Sequence, residues 1–311
     1  MRSEVNAPTN VWAATSPCTP RCVARTDTRV PVTRQVRRSV AVTGTVLRAF
    51  ARGDRLAEPG MLRSCAADLL DAAGVRLDAR GGPLSVPASD RGSLVVANHI
   101  SWLDVIALLA IEPVTMLAKR EVAGWPLIGP LVRRAGTLFI DRDSLRTLPA
   151  AIKEVSAALG AGRSVVVFPQ GVTWCSGARG VFRRAAFQAA IDAGAPVRPV
   201  TIRYDQGGRP TTLPAFVGDD DFVTSLRRIV GAADVTVRVT VHPPLFPTPG
   251  LDDRRTLAAR AQARMSGAER LTGPGGRMEA VRDAGRGQGA VGGARSRGEC
   301  AVARQMVCQE K

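Results

Sequence analysis

The chain contains two histidines, and one of them stands where an imidazole can act as a base. His99 follows directly on the apolar run Ser93–Ala97 and belongs to the stretch Asn98-His99-Ile100-Ser101-Trp102-Leu103-Asp104. Chains leaving a parallel sheet at strand C-termini are where α/β enzymes place their reactive groups. On one continuous helix His99 and Asp104 would be turned about 140° apart. They can meet if His99 lies in a loop and Asp104 in the first turn of the following helix, with Ser101 as its N-cap. A carboxylate bonded to one ring nitrogen fixes the tautomer and leaves the other nitrogen free to take a proton. Such a pair is suited to deprotonating an alcohol during acyl transfer. His242, at the end of an alternating strand before Pro243 and Pro244, reads instead as a histidine at a sheet end.

Other chemistries find less support. The six cysteines (Cys18, Cys22, Cys65, Cys175, Cys300 and Cys308) are too scattered to form a disulfide framework. Cys18 and Cys22 have chelating spacing, but no histidine or second cysteine pair lies near them in sequence, so no metal is expected. Nothing marks Cys175 as an activated thiol, and no Gly-x-Ser-x-Gly pentapeptide occurs, which argues against thiol and serine hydrolases.

The elements that must position His99 and Asp104 are legible as an alternation. Ser93–Ala97 reads as a buried strand and Trp102–Ile111 as an apolar helix. Val114–Ala118 and Thr137–Ile140 read as strands separated by a short apolar segment around Trp125. Ser144–Leu159 is a helix with Asp143 or Ser144 as N-cap, and Ser164–Phe168 is the clearest strand. Helix Arg183–Ala193, strand Val197–Arg203, helix Phe222–Val230, strand Val235–Val241 and a charged helix over Asp252–Arg270 complete the series. Strands alternating with helices imply an α/β domain with a parallel or mixed sheet.

The flanks differ in composition. Residues 1–34 are rich in Pro, Thr, Ser and Arg without apolar periodicity and read as a disordered arm. Residues 35–75 hold two helices. The first, Val36–Arg52, is basic and amphipathic, with Val36, Val40, Val46, Leu47 and Phe50 among four arginines; it fits either an anionic membrane or a helix packed on the domain with a solvated basic face. The second is Met61–Ala73, closed by Gly74. Residues 76–272 form the α/β domain, and 273–311 read as a disordered Gly/Arg-rich tail.

A chain with 45% hydrophobic and 23% charged residues is neither wholly disordered nor a fibrous repeat. Its net charge of +16 points to an anionic partner, although only three of the 43 basic residues are lysines, a bias that GC-rich codon usage also produces. Four per cent aromatics and a single tyrosine, Tyr204, argue against nucleic acid as that partner. No window approaches the ~20 apolar residues that span a bilayer. The start, MRSEVNAPTN, lacks the charged and apolar regions of a secretory signal. The expected location is therefore the cytoplasmic face of the membrane, reached peripherally or monotopically.

The segment Asn98-His99-x4-Asp104 resembles the first signature block of the glycerolipid acyltransferase family, whose members make phosphatidic acid from lysophosphatidic acid. Three further blocks stand in the family's order. Gly136-Thr137-Leu138-Phe139-Ile140-Asp141-Arg142 is similar to the second, Phe168-Pro169-Gln170-Gly171 to the third, and Pro196-Val197-Arg198-Pro199-Val200 to the fourth. Lys119, Pro126 and Gly129 stand where such enzymes carry a Lys and a Pro-x-x-Gly. The resemblance covers roughly residues 60–245. It implies an α/β acyltransferase domain, a mixed sheet flanked by helices, with an N-terminal helical pair resting on the bilayer. It also implies His99 as general base oriented by Asp104, with Asn98 beside them. Arg142 and Lys119 would contact an acceptor phosphate, and Phe168, Pro169, Gln170, Gly171 and Pro199 would line the substrate site. The donor would be acyl-CoA or acyl carrier protein, used as a substrate, with no cofactor. Two departures bear on the acceptor. Gln170 stands where the family usually has Glu, and no arginine follows Gly171 closely, leaving Arg179, Arg183 and Arg184 as substitutes. A lyso-ornithine lipid or another phosphate-free lysolipid is therefore the alternative acceptor to lysophosphatidic acid, and a weakly active paralogue a further alternative.

Overall fold

Strand β2 (Leu94–Ala97) is buried at every residue because it lies inside a sheet covered on both sides. A computed structural model describes residues 14–25, 28–87, 89–126, 128–141, 146–177, 180–248 and 250–271; the expected tail and residues 1–13 lie outside this range. The other strands are β1 (Val75–Arg80), β3 (Thr115–Lys119), β4 (Leu138–Ile140), β5 (Val165–Val167), β6 (Val197–Gln206), β7 (Arg209–Pro210) and β8 (Val235–Val241). They run in the order β1-β8-β6-β2-β5-β3-β4, with β7 paired to β6. β2 is parallel to both its neighbours, β5 and β6, and β8 is antiparallel to β6, so the sheet is mixed, as expected.

Alternation of side chains along a strand divides the core in two. Val95 and Ala97 pack in a cluster with residues of α1 (Val32–Ala51), α2 (Pro59–Ala73), α3 (Leu103–Ile111) and α7 (Phe222–Gly231). Leu94 and Val96 face the opposite cluster, built with α5 (Leu148–Gly160), α6 (Ala185–Ala193) and α8 (Arg254–Leu271). Fully buried leucines such as Leu103, Leu108 and Leu159 each contribute about 1.5–3 kcal/mol by leaving water. The short helix α4 (Ile128–Arg134) lies between β3 and β4.

Several elements depart from the sequence reading. β1 was not expected, because Val75–Arg80 alternates weakly and only Val75 is buried; its parallel pairing with β8 forms it. α5 begins at Leu148, and the expected caps Asp143 and Ser144 lie outside the described residues. The arm expected to be disordered through residue 34 is ordered over its described part. The Ala24 N–H donates to Thr212 Oγ1 at 2.9 Å, the Ala233 N–H to the Thr28 carbonyl at 2.9 Å, and the Val30 N–H to the Gly231 carbonyl at 3.0 Å. α1 then starts at Val32, and its Arg38 guanidinium donates to the carbonyls of Ala232 (2.7 Å) and Val230 (3.2 Å), fixing α1 to the end of α7.

β2 can take its place beside β5 only because residue 92 lacks a side chain. A Cβ on Gly92 would stand 2.2 Å from the Arg163 carbonyl oxygen and 2.8 Å from the Ser164 nitrogen, both backbone atoms. Gly92→Ala should therefore cost about 1–3 kcal/mol, the usual range for overpacking. A lowered denaturant midpoint with an unchanged slope checks this; a midpoint equal to the parent's would show that the strands part without cost.

Candidate active site

The C-terminal ends of parallel strands β2, β3, β4 and β5 share one edge of the sheet, and His99 leaves β2 on that edge. The apolar strand ends at Ala97 and α3 begins at Leu103, so residues 98–102 form the connecting loop. His99 Nδ1 lies 2.9 Å from Asp104 Oδ2, with the loop and first helical turn arranged as the spacing required. The N-cap of α3 is Trp102 and not the expected Ser101, and no side chain caps it; Ser101 Oγ accepts from the Leu103 N–H at a long 3.3 Å.

Asp104 is fully buried and receives four hydrogen bonds. Oδ2 accepts from the backbone N–H groups of Ile100 (2.6 Å) and Ser101 (2.9 Å) as well as from the imidazole. Oδ1 accepts from the Tyr204 hydroxyl at 2.6 Å. Burial, then the neighbouring Asp104 charge and its hydrogen bond, hold Tyr204 well above the ordinary phenol value, so it stays a donor. An ionised carboxylate accepts only, so His99 Nδ1 carries a proton and Nε2 presents its lone pair.

Three further contacts fix the imidazole and its loop. The ring stacks on Phe168, with centroids 3.9 Å apart and planes 13° from parallel. The His99 N–H donates to Gln170 Oε1 at 2.8 Å, and the His99 carbonyl accepts from the Trp174 N–H at 2.8 Å. Asn98 is buried and acts as a backbone surrogate towards β6: its Nδ2 donates to the Ile202 carbonyl (2.9 Å) and its Oδ1 accepts from the Ile202 N–H (2.7 Å). His99 keeps 22% of its side chain exposed, enough to meet a substrate.

The segment after β5 turns sharply. The Gly171 N–H donates to the Phe168 carbonyl at 3.0 Å, and Gly171 has φ +81°, a conformation that favours glycine. The Arg183 N–H closes on the Pro169 carbonyl at 2.8 Å, and a Cβ on Gly171 would stand 3.1 Å from Arg183 Nε. Arg183 is thus beside the turn, with an exposed side chain, and α6 starts two residues later.

The structure gathers His99, Asp104, Asn98, Phe168, Pro169, Gln170 and Gly171 into one constellation. Pro199 is buried in β6, opposite Val96 of β2. Lys119 is exposed at the end of β3, on the same sheet edge but apart from the bonded group. Arg142 and Arg179 lie outside the described residues. His242 is a sheet-end residue as expected: its Nε2 lies 2.8 Å from Thr201 Oγ1, and burial, then nearby Arg264, hold it below the ordinary histidine value.

Tyr204 was missed as a site residue; the signal was a lone tyrosine at the end of a strand adjoining the one that precedes His99. Cys18 and Cys22 also gain a sulfur neighbour that sequence spacing does not show. Cys175, 157 positions from Cys18 in the chain, brings its sulfur to 3.3 Å from that of Cys18.

Comparison with known proteins agrees with this geometry. Residues 82–203 match the family model described as Acyltransferase. A 1-acyl-sn-glycerol-3-phosphate acyltransferase of Neisseria meningitidis is 40% identical over 154 residues, covering 49% of this chain and 60% of that protein. A lyso-ornithine lipid O-acyltransferase of Pseudomonas aeruginosa is 39% identical over 171 residues, covering 54% and 64%. The chain thus spans just under two thirds of the length of these relatives. A lyso-ornithine lipid O-acyltransferase of Rhodobacter capsulatus is 32% identical over 215 residues, covering 66% of this chain and 72% of that protein. The crystal structure of the 1-acyl-sn-glycerophosphate acyltransferase PlsC from Thermotoga maritima shares the fold, with a TM-score of 0.52, 21% identity, and coverage of 80% of this chain and 98% of that one. With its four signature blocks, its His99–Asp104 pair and these relatives, the chain belongs to the glycerolipid acyltransferase family.

Proposed function

We propose that the protein transfers a fatty acyl group from the thioester of acyl-CoA or acyl carrier protein to the free hydroxyl of a lysolipid. The observation that carries this reading is the His99–Asp104 pair, with Nδ1 held by a carboxylate that three other donors also fix. In the reaction, His99 Nε2 takes the hydroxyl proton as the oxygen attacks the thioester carbonyl. The carbon–sulfur bond then breaks, and the departing thiolate takes the proton from the imidazolium. Each proton and electron pair is accounted for without a covalent acyl-enzyme. Arg183 stands beside the Gly171 turn with an exposed cation that an anionic group of a substrate would meet.

Lysophosphatidic acid is the acceptor of first choice; the Neisseria relative and the exposed Arg183 beside the Gly171 turn support it. Lyso-ornithine lipid is the second, supported by the Pseudomonas and Rhodobacter relatives, of which this chain covers more. Release of free thiol from acyl-CoA against a panel of lysolipids, with products identified by mass, distinguishes them. Release without any acceptor would mean a thioesterase, and none at all would overturn the reading.

The surface of α1 favours a bilayer as the source of the acceptor. Val32, Val36, Val40 and Leu47 are all more than half exposed. At 100° per residue they fall in a sector of roughly 80°, on the side away from the buried Val42, Thr45 and Ala49, with Arg37 and Arg48 flanking it. None of the described helices is long and apolar enough to cross a membrane. An amphipathic helix lying in the interface of the cytoplasmic leaflet satisfies both facts.

His99→Ala should lower turnover by about 10²–10⁴-fold with little change in stability, and Asp104→Asn should follow through loss of the tautomer. Tyr204→Phe should cost about 1–3 kcal/mol, because Asp104 Oδ1 loses its only side-chain donor in a buried setting, and should reduce turnover less than His99→Ala does. Steady-state kinetics beside denaturant melts test the set; near-normal turnover in folded His99→Ala protein would sink the mechanism.

Replacing Val36, Val40 and Leu47 together by Ser should weaken sedimentation with phosphatidylglycerol-containing vesicles by about tenfold or more, since each exposed apolar side chain contributes about 1 kcal/mol or more at the interface. Melting should be unchanged. Undiminished vesicle binding would transfer the anchor to the exposed Trp125 region.

A further inference from the structure

Cys18 and Cys22 lie in the N-terminal segment, and Cys175 in the loop that follows the Phe168–Gly171 turn. Their three sulfur atoms all lie within 4.8 Å of one another. Cys18 is buried, Cys175 half-buried and Cys22 exposed, so the group opens to solvent on one side only. The 3.3 Å separation of the Cys18 and Cys175 sulfurs is far beyond a disulfide bond of about 2.05 Å. Sulfurs bound to zinc at about 2.3 Å in a tetrahedron lie about 3.8 Å apart, close to the spacing present.

The surroundings favour thiolate. The Cys175 backbone N–H donates to Cys18 Sγ at 3.3 Å, the arrangement that neutralises sulfur charge at thiolate metal sites. Three gathered soft ligands select a zinc-class ion.

We propose that Cys18, Cys22 and Cys175 form a binding site for a zinc-class cation, with a fourth position open to water, and that the ion clasps residues 18–22 to the loop beside the candidate active site. Binding releases the thiol protons to solvent as three sulfur–metal bonds form. The clasp acts next to the imidazole's own support, because Trp174, which precedes Cys175, donates its N–H to the His99 carbonyl. The three ligands come from two segments whose cysteines 18 and 175 are 157 positions apart, so the ion adds a bonded link to the packing of Cys18 on the core.

The test uses the full-length chain with Cys300 and Cys308 changed to Ser, stripped with chelator under reducing conditions and titrated with Co²⁺ as the spectroscopic probe. Cys65 stays, held by Arg52 between α1 and α2. Saturation at one equivalent is expected, with visible bands of tetrahedral cobalt and near-ultraviolet thiolate charge transfer, reversed by Zn²⁺. Cys22→Ser, whose exposed side chain leaves the packing intact, should weaken Co²⁺ binding by about 100-fold or more, and Cys175→Ser likewise. Saturating Zn²⁺ should slow tryptic cleavage after the exposed Arg21 and Arg25 by about tenfold or more in the parent but not in Cys22→Ser. Absence of the charge-transfer band, unchanged affinity in Cys22→Ser, or proteolysis indifferent to Zn²⁺ would each overturn the proposal. So would a Cys18–Cys175 disulfide as the form that persists under reducing conditions.

Discussion

A fully buried carboxylate is costly to maintain unless donors compensate its charge, and Asp104 receives four hydrogen bonds from two parts of the chain. Two come from the backbone of the β2–α3 loop, one from His99 and one from Tyr204 on β6. Satisfying the charge therefore fixes the loop's shape, the imidazole's orientation and the spacing between two adjacent strands. Asn98 secures the same spacing from the neighbouring position by its paired bonds to Ile202. The site is rigid because the charge would otherwise be stranded, and Asp104 in the first turn of α3 also lies where the helix dipole favours an anion.

The N-terminal region shows a second way in which order arises. Residues 14–25 and 28–31 carry no apolar periodicity, and they are held by backbone bonds to Thr212, Gly231 and Ala233 and by the burial of Cys18 and Val30. α1 then continues from this segment with two faces: one inserts Val42 and Ala49 into the core and the other offers valines and Leu47 to the exterior. The packed reading of the basic amphipathic stretch is thus met, and an apolar stripe is left exposed on the other face. A packed helix presents its remaining apolar stripe outward at a fixed orientation relative to the sheet.

What was legible in the sequence follows from the range of the forces involved. β2, β5, β6 and β8 announce themselves because burial on both faces demands continuous β-branched runs, or strict alternation as in Val235–Val241. β1 was invisible because its order comes from pairing with a strand 160 positions away, not from its own pattern. Within the site, His99 and Asp104 were legible from their spacing, and Asn98 and Phe168–Gly171 through the resemblance to the family's blocks. Tyr204 and the meeting of Cys175 with Cys18 depend on long-range topology that a linear pattern does not encode.

Gln170 shows how the geometry clarifies a departure from the family pattern. Its Oε1 accepts the His99 N–H at 2.8 Å while the residue is almost fully buried. Acceptance from a backbone donor is a task that amide and carboxylate oxygens both perform, with the charged form giving the stronger bond. The substitution therefore keeps the contact to the His99 loop, removes a negative charge and puts an NH2 donor in place of one acceptor oxygen. A second buried carboxylate close to Asp104 would need its own compensating cation, and an amide does not. No arginine follows Gly171 immediately in this chain, and Arg183 keeps its side chain exposed beside the Gly171 turn with no buried carboxylate at position 170 to neutralise.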